Sequence, residues 1–150
     1  GYRASPDDAY LVIRGLRTLD VRLERHEKNT KEIIKFLVKQ KKIVEILYPY
    51  KKGTKNYKNW KKYYKGATGL LSLVIKAKSK NSVFKFINSL ELFGIGYSWG
   101  GFESLAVYQD IQREFKKYKD KDEHIVRLHI GLEDPKDLIN DIKKSLKFIK

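Results

Sequence analysis

Two stretches of this 150-residue chain hold residue types that chemistry could use. The first is Tyr97-Ser98-Trp99-Gly100-Gly101-Phe102-Glu103-Ser104-Leu105, where a hydroxyl, an indole and a glycine pair separate two apolar segments. Adjacent glycines in a strand pattern are unfavourable unless the backbone bends sharply or approaches another group closely; a plain tight turn is the simpler alternative. The second is His124-Ile125-Val126-Arg127-Leu128-His129-Ile130-Gly131-Leu132-Glu133-Asp134, with Arg127 flanked on both sides by aliphatic residues. A strand-borne guanidinium beside a glycine-rich bend can grip a carboxylate through two parallel hydrogen bonds. It can equally be the cation of an internal salt bridge, and residue pattern alone leaves both open.

The other titratable residues point to less. His26, His124 and His129 lack the spacing of a metal site, and a chain without cysteine has no thiolate for zinc, so no metal ligands are assigned. His129 is expected to steady its strand or orient neighbours rather than act as a base. Asp7/Asp8 and Glu133/Asp134 look like paired carboxylates, but both pairs fall where helix caps are expected. There is no nucleophile elbow, phosphate-binding loop or dinucleotide fingerprint.

Composition bounds the partners. The formal charge is +15, and lysine supplies 26 of the 33 basic residues. Lysines neutralising phosphates would favour nucleic acid, and Tyr50–Lys65 interleaves lysines with Tyr57, Trp60, Tyr63 and Tyr64, a pattern that suits a base-stacking platform. Base reading favours the planar fork of arginine, and no nucleic-acid motif accompanies the charge. The expectation is therefore a lysine-solvated surface and a long surface loop whose aromatics dock on the domain. No apolar run is long enough to cross a bilayer, no secretory signal opens the chain, and redox chemistry does not constrain the compartment. Opening on Gly1-Tyr2-Arg3 without a start methionine, the chain is expected to be a piece of a longer polypeptide.

The positioning elements read in order. Ser5-Pro6-Asp7-Asp8 has helix-start syntax, and Val12, Leu16, Leu19, Leu23, Ile33, Ile34 and Leu37 recur at helical spacing. This predicts one helix from about Pro6 to Lys39, about 50 Å long, with close packing at Gly15. Arg14, Arg17, Arg22 and Arg25 could form a phosphate-binding face, but are expected to be exposed or paired with Glu24 and Glu27. Strands are predicted at Ile43–Tyr48 and Leu70–Lys76, near Phe93–Tyr97, and at Glu103–Tyr108. A helix capped by Asn81 or Ser82 buries Val83, Phe84, Phe86, Ile87 and Leu90. The charged segment Asp110–Glu123 is expected to be a mobile helix or loop without an assigned role. Ile125, Arg127 and His129 alternate with Val126, Leu128 and Ile130, so the apolar set faces a core and Arg127 shares the opposite face with His129. Leu138, Ile142, Leu146 and Ile149 line a last helix opened by Asp134-Pro135. The result is a single α/β domain over residues 1–150: two layers, with a mainly antiparallel sheet of four to five strands covered by helices.

Four motifs in this order carry a resemblance over nearly the whole chain: "SPDDAYLVIRGLRTLDVRLERHEKN", "WKKYYKGATGL", "YSWGGFESL" and "VRLHIGLED". Together they resemble the C-terminal domain of the cystathionine β-lyases, in the fold-type I, aminotransferase-like family of pyridoxal-phosphate enzymes of cysteine and methionine metabolism. The resemblance implies that Arg127 holds the α-carboxylate of an amino-acid substrate, that Ser98 and Trp99 frame it, and that Tyr97 is a specificity position. By the same resemblance, Tyr97, Trp99 and His129 favour the β-lyase branch over the γ-lyases and γ-synthases, and an amino-acid racemase on the same framework stays an alternative. The intact enzyme is then expected to cleave the thioether L-cystathionine to homocysteine, pyruvate and ammonia in methionine biosynthesis, as a cytoplasmic homotetramer (a dimer of dimers). Its catalytic Schiff-base lysine and its pyridoxal-phosphate site are expected in an upstream large domain, so no catalytic or cofactor-binding residue is assigned in this chain. The chain alone is expected to hold no cofactor and to be inactive.

Overall fold

A computed structural model describes residues 3–54, 56–110 and 122–150. Helix α1 (Pro6–Leu16) starts where its capping signals stand: Asp8 N donates to Ser5 Oγ at 3.1 Å, and Ser5 N donates to the Asp8 carboxylate at 3.3 Å. The predicted single helix is in fact two, because α2 runs Leu19–Leu37 after a break at Arg17-Thr18. The break has an identifiable cause. Arg22 Nη2 donates to Gly15 O at 2.6 Å and Arg22 Nε to Thr18 Oγ1 at 3.3 Å, so a side chain takes the carbonyl that a continuous helix would use. Gly15 is not a close-packing site, since a Cβ there would meet only Arg22 Nη2, at 4.0 Å.

The apolar stripe of this segment also divides. Val12, Leu16, Leu19 and Leu23 are exposed, and α1 buries no residue. Burial begins further on, where Ile33 and Leu37 continue a line started by His26, Asn29 and Thr30. Arg14, Arg17 and Arg25 are exposed, whereas Glu27 pairs with Lys31 at 2.5 Å. That partner's hydrogen bond raises the Lys31 ammonium above its ordinary pKa.

Strand β1 (Ile43–Leu47) stops short of Pro49 and pairs antiparallel with β2 (Leu70–Lys76). Between them, the expected loop contains a helix, α3 (Tyr57–Tyr63). Its ring spacing accounts for it: Tyr57 and Trp60, three apart, stack at 5.5 Å, Trp60 meets Tyr50 edge-on at 4.5 Å, and Trp60 Nε1 donates to Gly66 O at 2.9 Å. Of the aromatics expected to dock on the domain, Tyr50 does so, Trp60 packs on Tyr50 and Tyr57 on Trp60, while Tyr63 and Tyr64 stay exposed. Tyr48 donates its hydroxyl to Thr68 O at 2.8 Å, and burial pushes that phenol's pKa up.

Helix α4 (Lys80–Asn88) is capped by Ser79, two or three residues earlier than predicted, through Ser82 N donating to Ser79 Oγ. Strand β3 is only Gly94–Ile95 and lies parallel to β4 (Leu105–Gln109); β5 (Glu123–His129) pairs antiparallel with both β4 and β2. Residues 111–121, most of the charged segment left without a role, lie outside the described residues. Helix α5 (Pro135–Ser145) and a short 3₁₀ turn at Leu146–Phe148 close the chain.

The sheet order is β1-β2-β5-β4-β3, a mixed five-stranded sheet that is antiparallel except at one edge. Period-2 alternation sends Leu71, Leu73, Ile75, Ala106, Val126 and Leu128 into one core with Ile33 and Leu37 of α2, Val83, Phe86 and Ile87 of α4, and Leu138 and Ile142 of α5. Each such side chain stabilises by about 1.5–3 kcal/mol on burial. This is the two-layer α/β architecture expected. The other face carries the rows Ser72–Arg127–Val107 and Leu70–His129–Leu105. His129 lies on this face with Arg127, as expected, and is 2% exposed, because β5 ends there beneath the glycine bend and beside His26. No helix among the described residues is long and apolar enough to cross a membrane.

Candidate substrate-carboxylate site

The bend after β3 and the middle of β5 meet at Arg127. Arg127 Nη2 donates to Tyr97 O at 2.6 Å, Gly96 O at 3.3 Å and Ser98 O at 3.4 Å, and the guanidinium carbon stands 5.9 Å from the Tyr97 ring centroid. The salt bridge that residue pattern left open is not formed with any described acidic residue. The anchoring groups are neutral carbonyls, so the positive charge is not cancelled. No described residue accepts from Nε or Nη1. These N–H groups remain available to an anion such as a carboxylate, while Nη2 serves the bend.

Tyr97 and Ser98 are therefore brought to Arg127 through their backbone, with Trp99 next to them in the same bend. Their side chains face outward: Tyr97 is 74% and Trp99 63% exposed. Gly100 makes the bend possible at φ 82, a left-handed conformation that side chains disfavour. His129 holds the bend from beneath. Its Nε2 lies 3.1 Å from both Gly101 O and Gly100 N, and Gly100 N is 3.4 Å from Nδ1. The neutral ring has one donor and one acceptor nitrogen to offer these two groups. Burial lowers the His129 pKa and so favours that neutral form.

Sequence reasoning missed a second layer. Glu133 is not a helix cap; that role belongs to Asp134 alone, whose carboxylate accepts from Lys136 N at 2.7 Å. Glu133 accepts from Ser104 N at 2.7 Å and from the Ser104 hydroxyl at 2.8 Å. Asn29 Nδ2 donates to Gly131 O and Glu133 O, and His26 Nδ1 donates to Ile130 O at 2.7 Å. Two signals were available. With Pro135 at the first helical position the cap must be Asp134, which leaves Glu133 over, and His26, Asn29 and Thr30 extend the buried Ile33–Leu37 stripe in polar form. His124 lies elsewhere, between the Tyr108 hydroxyl and Ala77 O. Among the described residues no cluster could hold a metal ion.

This layered domain, with an arginine facing a glycine bend, is that of a fold-type I pyridoxal-phosphate enzyme. Residues 1–147 match the model of the Cys/Met metabolism PLP-dependent enzyme family, and the chain belongs to that family. Among its relatives, the cystathionine beta-lyase of Bordetella avium is 37% identical over 148 residues, covering 97% of this chain and 37% of that protein. The L-alanine/L-glutamate racemase of Wolbachia pipientis wMel is 36% identical over 149 residues, covering 97% and 37%. The crystal structure of cystathionine gamma synthase from Xanthomonas oryzae pv. oryzae in complex with aminoacrylate and cysteine superposes with a TM-score of 0.85 at 28% identity, over 97% of this chain and 39% of that one. The chain thus spans little more than a third of the length of the relatives it matches.

Members of this family depend on pyridoxal phosphate, whose aldehyde needs a primary amine. Neither the 96–104 stretch nor β5 supplies a lysine, and the described cation that bonds to the bend is the Arg127 guanidinium. The bend and β5 by themselves therefore offer no amine to the cofactor's aldehyde.

Proposed function

We propose that this chain is the C-terminal, substrate-binding domain of a longer pyridoxal-phosphate-dependent carbon–sulfur lyase of the cystathionine β-lyase type. The observation that carries this reading is Arg127, anchored through Nη2 on the bend carbonyls with the rest of its fork open. Arg127 takes the α-carboxylate of the amino acid, the Ser98 hydroxyl and the Trp99 backbone frame it, and the Tyr97 ring beside them bears on the choice of thioether. The cofactor, held by the remainder of the polypeptide, supplies the electron sink. This chain's part is orientation: with its carboxylate fixed, the substrate presents one Cα–H bond for removal, a proximity effect that can lower a barrier by several kcal/mol.

The β-lyase branch is supported by Tyr97, Trp99 and His129 and by the Bordetella relative, while the racemase and γ-synthase relatives mark its rivals. The test is to give the full-length enzyme L-cystathionine and identify the keto acid. Pyruvate with homocysteine is expected. 2-Oxobutyrate would assign γ-elimination instead, and loss of optical rotation of an amino acid without any keto acid would assign a racemase.

A further inference from the structure

We propose that Glu133 and Ser104 form a clasp that registers the Tyr97–Gly101 bend to the strand bearing Arg127, which makes both of them positioning residues for carboxylate binding. The proposal rests on the reading of that bend as the carboxylate loop.

A site assembled from a strand guanidinium and a separate loop works only if the two are held in fixed relation, to about half an ångström. Arg127 and His129 reach the loop from the strand side, but both bind its near half, Gly96 to Gly101. The far half is held by the continuation of the same strand. Ser104 is fully buried; its N–H and hydroxyl donate to the two oxygens of Glu133, at 2.7 and 2.8 Å, and its Oγ accepts from Gly131 N at 2.8 Å. Leu132 N donates to Phe102 O at 2.8 Å. The Glu133 backbone is itself tied to α2 through Asn29. Because a carboxylate acceptor makes these bonds charge-assisted, they are stronger than neutral contacts.

One continuous segment, residues 127–133, therefore carries both the guanidinium and the anchor of the loop facing it. The fit is close: a Cβ on Gly131 would lie 2.3 Å from Phe102 O. Glu133 touches neither the open edge of Arg127 nor the space beside it, so it acts through Ser104.

The experiment uses the full-length holoenzyme with Glu133→Gln and, as a second variant, Ser104→Ala, with folding checked by circular dichroism. Hydrogen exchange of peptides covering 97–104, measured without substrate, is expected to quicken while β2 peptides stay unchanged. KM for cystathionine is expected to rise about tenfold with kcat changed less than about twofold, and the double variant should be no worse than the worse single one. Unchanged exchange in both variants would sink the clasp. Faster exchange with unchanged KM would overturn the positioning role and leave the lyase reading standing. Failure of the carboxylate reading itself shows separately, as an unchanged KM in Arg127→Ala.

Discussion

Arg127 directs Nη2 at three backbone carbonyls and leaves Nε and Nη1 without a described partner. Losing a charge-assisted contact of this kind removes about 1.5–3 kcal/mol. Arg127→Ala in the full-length enzyme should therefore raise KM about ten- to a hundred-and-fifty-fold with a smaller change in kcat, as steady-state kinetics will read. Arg127→Lys should recover little, because an ammonium is a point charge and cannot both hold the loop and span a carboxylate. Gly131 is limited by sterics rather than charge. A methyl group there would meet Phe102 O at 2.3 Å and the Glu103 carbonyl carbon at 2.6 Å, both backbone atoms that cannot swing aside. Gly131→Ala is expected to destabilise by more than ~2 kcal/mol, seen as a lowered denaturation midpoint.

At the scale of elements, the adjacent carboxylates Glu133 and Asp134 divide their work. Asp134 caps α5, so Asp134→Ala should lower stability by about 1 kcal/mol without altering hydrogen exchange in the 97–104 loop. An equal disturbance of that loop would contradict the division. The break between α1 and α2 shows how much one side chain decides: the periodicity from Val12 to Leu37 reads as one helix, yet Arg22 takes the Gly15 carbonyl and the chain turns. Helix α4 contributes Phe86, which is wholly buried between the sheet and its neighbours. Phe86→Ala should remove about 3–5 kcal/mol, measured by chemical denaturation; a loss under ~1 kcal/mol would mean that the core can collapse around the missing ring.

For the whole molecule, pH acts through His129. Burial holds its folded-state pKa below the usual 6.5, so the unfolded chain binds the proton more readily. Stability from this group is therefore complete above about pH 6.5 and falls as pH drops through that value toward the lower folded pKa. Protonation also leaves the ring with no acceptor nitrogen for Gly100 N. Denaturation at pH 7.5 and 5.5 should show a larger loss for the unaltered protein than for His129→Asn; equal losses would remove His129 from this role. Within the lysine-rich 50–64 segment, Tyr50, Tyr57 and Trp60 pack on one another, while Tyr63 and Tyr64 are exposed.

Alternation of apolar and polar residues, proline and hydroxyl caps, and the Ser98–Gly101 punctuation by themselves determined the two-layer α/β class, the Leu70–Lys76 strand, the starts of the first and last helices, and Arg127 as the residue facing the bend. These are local signals, readable because one side chain or one period of two sets each of them. Only the tertiary structure decided that the apolar face of α1 stays uncovered, that His129 is buried, and that Glu133 serves Ser104 rather than a helix end. Each of these depends on what a residue meets some 30 to 100 positions away, as Ser104 meets Glu133 and His26 meets Ile130. Residue types at short spacing carry no record of such contacts, because long-range pairing is selected by how the whole sheet and its helices pack.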